Sequence, residues 1–253
     1  MRRLHIIGIG AGDPDYVTMQ AVKAMRQTDV FFVVDKGAEK DSLVALRREI
    51  LERYIPSPHY RIVEIEEPAR DRTSAAYRAA VETWRHERAV RYEAAFLANL
   101  ADGECGAILV WGDPALYDST LAIVEDVIER GNIALDIEVI PGISSVQALV
   151  AKHQVTLNRV GEAIQVTTGR RLRAGLPTEA ENVVVMLDAE CSFRQVADPS
   201  LTIYWGAYIG TDDEILVSGP LPEVMDEIDR VRSEARVRHG WIMDTYLIRK
   251  TDA

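Results

Sequence analysis

Through the first 155 residues, short β-branched runs alternate with longer segments whose apolar positions recur at helical spacing. Strands are predicted over 4–9, 30–34, 61–65, 107–111 and 137–140. Helices are predicted over 19–26, 43–54, 75–100, 121–129 and 146–152, and the Ala-, Arg- and Glu-rich stretch 75–100 is the clearest of them. Regular strand–helix alternation implies a parallel sheet covered on both faces, so the fold class is α/β. After Asn158 the rhythm changes. Residues 164–168, 183–187, 201–208, 215–217 and 241–248 read mostly as strands, with one long helix over 223–236. Ser218-Gly219-Pro220 and the segment from Arg170 to Gly175 supply turn and loop chemistry between the runs. Two domains are expected, 1–155 and 156–253, the second also α/β but richer in strands.

Composition narrows the class. In 253 residues, 29 Lys and Arg face 40 Asp and Glu, and the net charge of −11 argues against nucleic acid as the main partner. The longest apolar runs are far too short to span a bilayer. Met1-Arg2-Arg3 leads into too few apolar residues for a signal peptide. Cys105 and Cys191 stand alone, so neither a disulfide framework nor a CxxC site is available. The five histidines show no HExxH or related spacing, and no metal site is expected. The expectation is a soluble, cytoplasmic protein without membrane or nucleic-acid partners.

Loop chemistry changes the picture further. The first strand runs into Gly8-Ile9-Gly10-Ala11-Gly12-Asp13-Pro14, and the second ends at Asp35-Lys36-Gly37. The fourth ends in Gly112-Asp113-Pro114, and the fifth in Pro141-Gly142-Ile143-Ser144-Ser145. In an open α/β sheet the ligand crevice lies beyond the carboxyl ends of the strands, so these loops converge on one edge. Singly, each is ordinary loop punctuation, and Ser119, Thr120, Ser144 and Ser145 could serve only as helix caps. A dinucleotide reading is opposed by Asp13 where the third glycine belongs, and by Pro14, which has no N–H for a pyrophosphate.

Three segments together resemble the tetrapyrrole (precorrin) methyltransferase superfamily. Gly8 to Thr18 follows its Gly-x-Gly-x-Gly-Asp-Pro-x-x-x-Thr opening, and Gly112-Asp113-Pro114-x-x-Tyr117 and Pro141-Gly142-Ile143-Ser144-Ser145 match the next two motifs in order. The likeness continues in Thr167-Thr168-Gly169-Arg170-Arg171, Tyr204-Trp205-Gly206-Ala207-Tyr208 and Gly240-Trp241-Ile242-Met243-Asp244-Thr245. It implies two α/β domains with S-adenosylmethionine in a cleft between them, S-adenosylhomocysteine as product, and a homodimer. It implies methylation of C-1 of precorrin-5 with release of an acetyl group as acetate. The alternatives are a methylase for another precorrin position or, from another class, an NAD(P)-binding oxidoreductase. Carried over by motif, the cofactor residues are Ala11, Trp111, Gly112, Asp113, Leu116, Ser144, Ser145 and Leu187, with Leu221 and Thr245 following the pattern more loosely.

Such a substrate is fringed with carboxylates, which arginine binds in bidentate fashion, so Arg170, Arg171 and Arg173 are candidate substrate residues. A solvated basic knot is the alternative. Release of acetate needs a positioned water or base and a donor for the developing oxyanion. Asp35 and Tyr117, each following a strand at the carboxyl edge, are the candidates for these catalytic tasks. His86, among Arg85, Glu87 and Arg88, reads as part of a solvated helix face, and Tyr204, Trp205 and Tyr208 read as core.

Overall fold

The computed structural model describes residues 1–35, 41–57, 59–68, 77–177 and 181–250. Their contacts divide the chain into two units: 1–10 with 14–143, and 11–13 with 144 onward. This division falls ahead of the expected 155/156 boundary, because the helix beginning at Ser145 packs with the second sheet.

The first unit alternates β1 (Arg2–Gly8), α1 (Met19–Met25), β2 (Val30–Asp35), α2 (Asp41–Tyr54), β3 (Arg61–Glu66), α3 (Tyr77–Asn99), β4 (Cys105–Val110), α4 (Thr120–Glu129) and β5 (Leu135–Ile140). All five strands are parallel, in the order β3-β2-β4-β1-β5. Period-two alternation sends Leu4, Ile6, Phe32 and Ile108 to one face, where Tyr92 and Phe96 of α3 and Ile123 and Val127 of α4 cover them. Ile7, Phe31, Ala107 and Leu109 face the other way, under Val22 and Met25 of α1 and Ile50 and Leu51 of α2. Burial on both faces explains why these strands read as nearly continuous apolar runs.

The second unit holds α5 (Ser145–Lys152), β6 (Ile164–Thr168), a one-turn α6 (Gly169–Leu172), β7 (Asn182–Met186), β8 (Leu201–Ala207), β9 (Ile215–Pro220), α7 (Leu221–His239) and β10 (Asp244–Lys250). Its sheet order is β6-β7-β10-β8-β9, parallel only between β6 and β7. One face carries Val183, Val185, Ile203, Trp205, Tyr246 and Ile248 against α7 and Phe193. Ser218-Gly219-Pro220, expected as a turn, instead completes β9, with Ser218 opposite Tyr204 and Pro220 opposite Thr202. An edge strand tolerates a proline at its end because no neighbour needs its N–H. The turn falls earlier, where Gly210 N donates to Glu214 at 2.8 Å.

Candidate functional site

In the first sheet β1 and β4 are neighbours whose connections leave in opposite directions, to β2 on one side and to β5 on the other. A doubly wound sheet opens its crevice at such a reversal. Both glycine-bearing loops start here. They are tied by a bridge in which Gly112 N donates to Gly10 O at 2.8 Å and Gly10 N to Gly112 O at 3.3 Å. The loop after β5 comes equally close: a Cβ on Gly142 would lie 2.1 Å from Gly112 O, so no side chain fits there. Asp113 is half-buried and both its carboxylate oxygens are engaged, Oδ1 accepting Ala115 N at 2.8 Å and Oδ2 accepting Gly142 N at 2.9 Å. Trp111 is half-buried beside it, and Leu116 is half-buried further along the same loop.

Tyr117 adopts a left-handed backbone, φ 53°, and its side chain is 45% exposed. A strained non-glycine conformation at a loop apex is a mark of functional sites. Asp35 ends β2 opposite Glu66 at the same edge, but its side chain lies outside the described residues, as do Lys36, Gly37, Arg70 and Arg72. Helix α4 is capped by Asp118, which accepts Thr120 N at 2.6 Å, rather than by Ser119. Ser119 Oγ instead accepts from Arg88 at 2.7 Å. Arg88 is buried, ion-paired to Glu67 at 3.2 Å and stacked 4.7 Å from the Trp84 ring, whereas its neighbour His86 is exposed. Sequence reasoning also passed over Arg47, whose Nε donates to Leu109 O near the end of β4. Burial lowers the Arg47 guanidinium pKa, and Asp118 opposes that shift. Within an otherwise polar helix it reads as one more solvated cation; only the fold brings it to this edge.

The second unit assembles its candidates at one end of its sheet. Ser144 caps α5, accepting Val146 N at 3.2 Å and donating to Gln147, while Ser145 Oγ meets Thr245 Oγ1 at 3.1 Å. Leu187 lies just past β7 with φ 55° and its side chain 65% exposed. Behind it, buried Asp188 accepts Ser192 N (2.6 Å), Ser192 Oγ (2.8 Å) and the Tyr246 hydroxyl (2.7 Å). Arg232 Nη2 donates to Asp188 O at 2.6 Å and its Nε to Asp244 Oδ2 at 2.9 Å, joining the Leu187 and Thr245 segments. Burial and the surrounding carboxylates push the Tyr246 hydroxyl far above its usual pKa, and burial pushes the Cys191 thiol up to about 11.

Arg170 and Arg171 are exposed on α6 at this same end, and Arg173 follows them, ion-paired with Glu190. Helix α6 is itself a departure from the expected loop. Its Gly169 sits so near Asp188 that a Cβ would fall 2.3 Å from the carboxylate. Ala11 is buried, and Gly12 beside it packs on the loop after β8, where a Cβ would meet Ile209 O at 2.4 Å. Leu221 is not brought to this end. It follows β9 at the opposite end of the sheet, and its fully buried side chain belongs to the core under α7. Among the described residues, no group of three His, Cys, Asp or Glu could hold a metal ion, and no helix is long and apolar enough to cross a membrane.

A five-stranded parallel sheet with glycine loops at its reversal point, followed by a mixed sheet with Ser144, Leu187 and Thr245 at one end, defines a two-unit α/β architecture. Residues 3–225 match the model of the Tetrapyrrole (Corrin/Porphyrin) Methylases. The chain belongs to this family and is a methyltransferase. It is 48% identical over 250 residues to the precorrin-6A synthase [deacetylating] of a Sinorhizobium species, covering 99% of this chain and 96% of that one. It is 28% identical to a precorrin-2 C(20)-methyltransferase of Sinorhizobium, over 73% of this chain and 72% of that one. Among solved structures, a cobalamin synthesis related protein (CobF) from Corynebacterium diphtheriae superposes with a TM-score of 0.87 at 36% identity, covering 100% of both chains. Uroporphyrin-III C-methyltransferase from Thermus thermophilus, solved with S-adenosyl homocysteine, shares the fold at a TM-score of 0.58 and 17% identity, over 98% and 97% of the two chains.

Proposed function

We propose that this chain is an S-adenosylmethionine-dependent C-methyltransferase of corrin biosynthesis that methylates C-1 of precorrin-5 and releases acetate, giving precorrin-6A. The observation that carries the substrate is the 48% identity, spread over 99% of the chain, to a precorrin-6A synthase. The residues present suit the cofactor. The loops offer main-chain groups, exposed apolar side chains at Tyr117, Ile143 and Leu187, and acids at Asp113 and Asp118. A dinucleotide fits poorly: β4 separates β1 from β2, and the β1 loop enters a short 3-10 turn, Pro14–Tyr16, before α1 starts.

By their motifs, Ala11, Trp111, Gly112, Asp113, Leu116, Ser144, Ser145, Leu187 and Thr245 are the residues that would hold S-adenosylmethionine. When bound it supplies a methyl group already activated on a sulfonium. The chain therefore has to align the reactants and exclude water rather than activate them. Asp35 would orient the water that adds to the acetyl carbonyl, and the Tyr117 hydroxyl would donate to the carbonyl oxygen. The C–C bond to the macrocycle then breaks, its electron pair passes into the conjugated ring, and acetate leaves. Arg170, Arg171 and Arg173 bind the carboxylate fringe of the substrate. The family resemblance supports a cytoplasmic homodimer. Titration calorimetry tests the reading: S-adenosylhomocysteine should bind saturably and NAD(P) should not, and the reverse would overturn it.

A further inference from the structure

The face of the second sheet that carries α5 has a cavity of about 290 Å³. Its walls are chiefly Thr156, Arg159, Tyr204, Arg249 and Lys250. It lies where β10 ends and β8 begins, since Lys250 pairs with Leu201, whereas Thr245 pairs with Gly206 toward the other end. Arg249 lies four residues of strand, about 13 Å, from Thr245. The cavity is not the cofactor region.

Arg249 dominates the cavity. It is 8% exposed, its guanidinium stands 5.0 Å from the Tyr204 ring centroid, and its Nη2 donates to Thr156 O at 2.8 Å. Its Nε is buried without an acceptor, and among the described residues no carboxylate pairs with it. A cation removed from water without a counter-ion is costly, and a ring face and one carbonyl only partly offset the loss. The arrangement is nonetheless held firmly. The His153 ring meets Tyr204 edge-on at 5.6 Å, and His153 Nε2 is fixed 3.0 Å from Trp205 O. At the rim, Arg159 pairs with Glu162 at 3.1 Å and donates to Lys250 O at 3.3 Å, and the Lys250 side chain is exposed. Glu162 is also engaged by Asn182 Nδ2 at 2.9 Å. A buried cation thus stands with the Arg159–Glu162 pair and Lys250 at its mouth, in a chain whose net charge is −11.

We propose that this cavity is a binding site for a small oxyanion, a carboxylate or a phosphate, recognised by Arg249 with Arg159 and Lys250 at its mouth. Its volume suits a short dicarboxylate or inorganic phosphate and is at the lower limit of small-ligand pockets. The bound anion supplies a charge that no carboxylate among the described residues gives Arg249. The site is independent of the methyl-transfer reading.

Calorimetric titration of the full chain with succinate and with inorganic phosphate, at ionic strength matched with chloride, tests it. At least one anion is expected to bind saturably, and the stronger of the two identifies the ligand chemistry. Arg249→Gln should weaken binding roughly tenfold or more, and Lys250→Ala, at an exposed position, about threefold. If Arg249→Gln does not fold, the side-chain N–H signal of Arg249 in the unaltered protein is followed by NMR during titration and should shift on saturation. Binding no stronger than chloride, equal affinity in Lys250→Ala, or an Arg249 signal that does not move would each overturn the proposal.

Discussion

The carboxylate of Asp113 joins two loops, accepting Gly142 N at 2.9 Å while also closing its own turn through Ala115 N at 2.8 Å. This acid therefore acts on the main chain, setting the distance between the loops after β4 and β5. Asp113→Ala removes both charge-assisted bonds and should cost about 1–3 kcal/mol of stability. Affinity for S-adenosylhomocysteine should fall at least tenfold, because the loop groups lose their register. Calorimetry on Asp113→Ala, with thermal unfolding as the control for stability, measures the two effects separately.

Gly142 constrains the same two loops through space. A Cβ added to it would stand only 2.1 Å from Gly112 O, so Gly142→Ala must displace backbone on both. Cofactor affinity should drop sharply. Gly131, with φ 72° and nothing within 4 Å of its Cβ position, is the comparison. Gly131→Ala should cost only the left-handed backbone strain, about 1–2 kcal/mol, and leave affinity intact. Equal cofactor loss in both variants would show a general stability effect rather than a local one.

The parallel half of the fold was legible because its strands are buried on both sides and its helices are amphipathic, two patterns that survive without tertiary information. The glycine loops were legible as well, since close backbone approach restricts residue choice. The edges of the second sheet were less so. Ser218-Gly219-Pro220 carries turn chemistry, yet pairing with Thr202 and Tyr204 decides its state. The Leu221 assignment failed to join its partners because a loose motif match says nothing about which end of a strand it occupies. The network of Asp188, Arg232, Asp244 and Tyr246 joins residues far apart in the chain, and no local pattern announces it.

Arg232 and Asp244 are both nearly inaccessible and 2.9 Å apart. Arg232→Leu leaves Asp244 buried without its cation and should destabilise the protein by about 3–5 kcal/mol at neutral pH. Burial raises the Asp244 pKa, and Arg232 opposes that rise, so the variant should raise it further. An acid whose folded pKa lies above its unfolded value stabilises the fold below the unfolded pKa, and that contribution is lost as pH rises through the folded pKa. The deficit of Arg232→Leu should therefore shrink as pH falls from neutral toward the acid range. Urea unfolding across that range checks the sign, and a deficit that grows on acidification would contradict it.

Replacing Arg170, Arg171 and Arg173 together by Ala should raise KM for the corrinoid more than it lowers kcat, as expected for uniform binding of peripheral carboxylates. Arg173 already shares its charge with Glu190, so Arg173→Ala alone should raise KM less than the triple variant does. Steady-state kinetics that leave KM unchanged would return the three to the solvated surface.

The central claim is tested most directly by a single-turnover reaction of the unaltered protein with precorrin-5 and methyl-labelled S-adenosylmethionine, following label and acetate together. One methyl group should appear at C-1 for each acetate released. Asp35→Asn and Tyr117→Phe should slow acetate release after methylation has occurred. Label transferred to another ring carbon, or methylation with no acetate formed, would contradict the account.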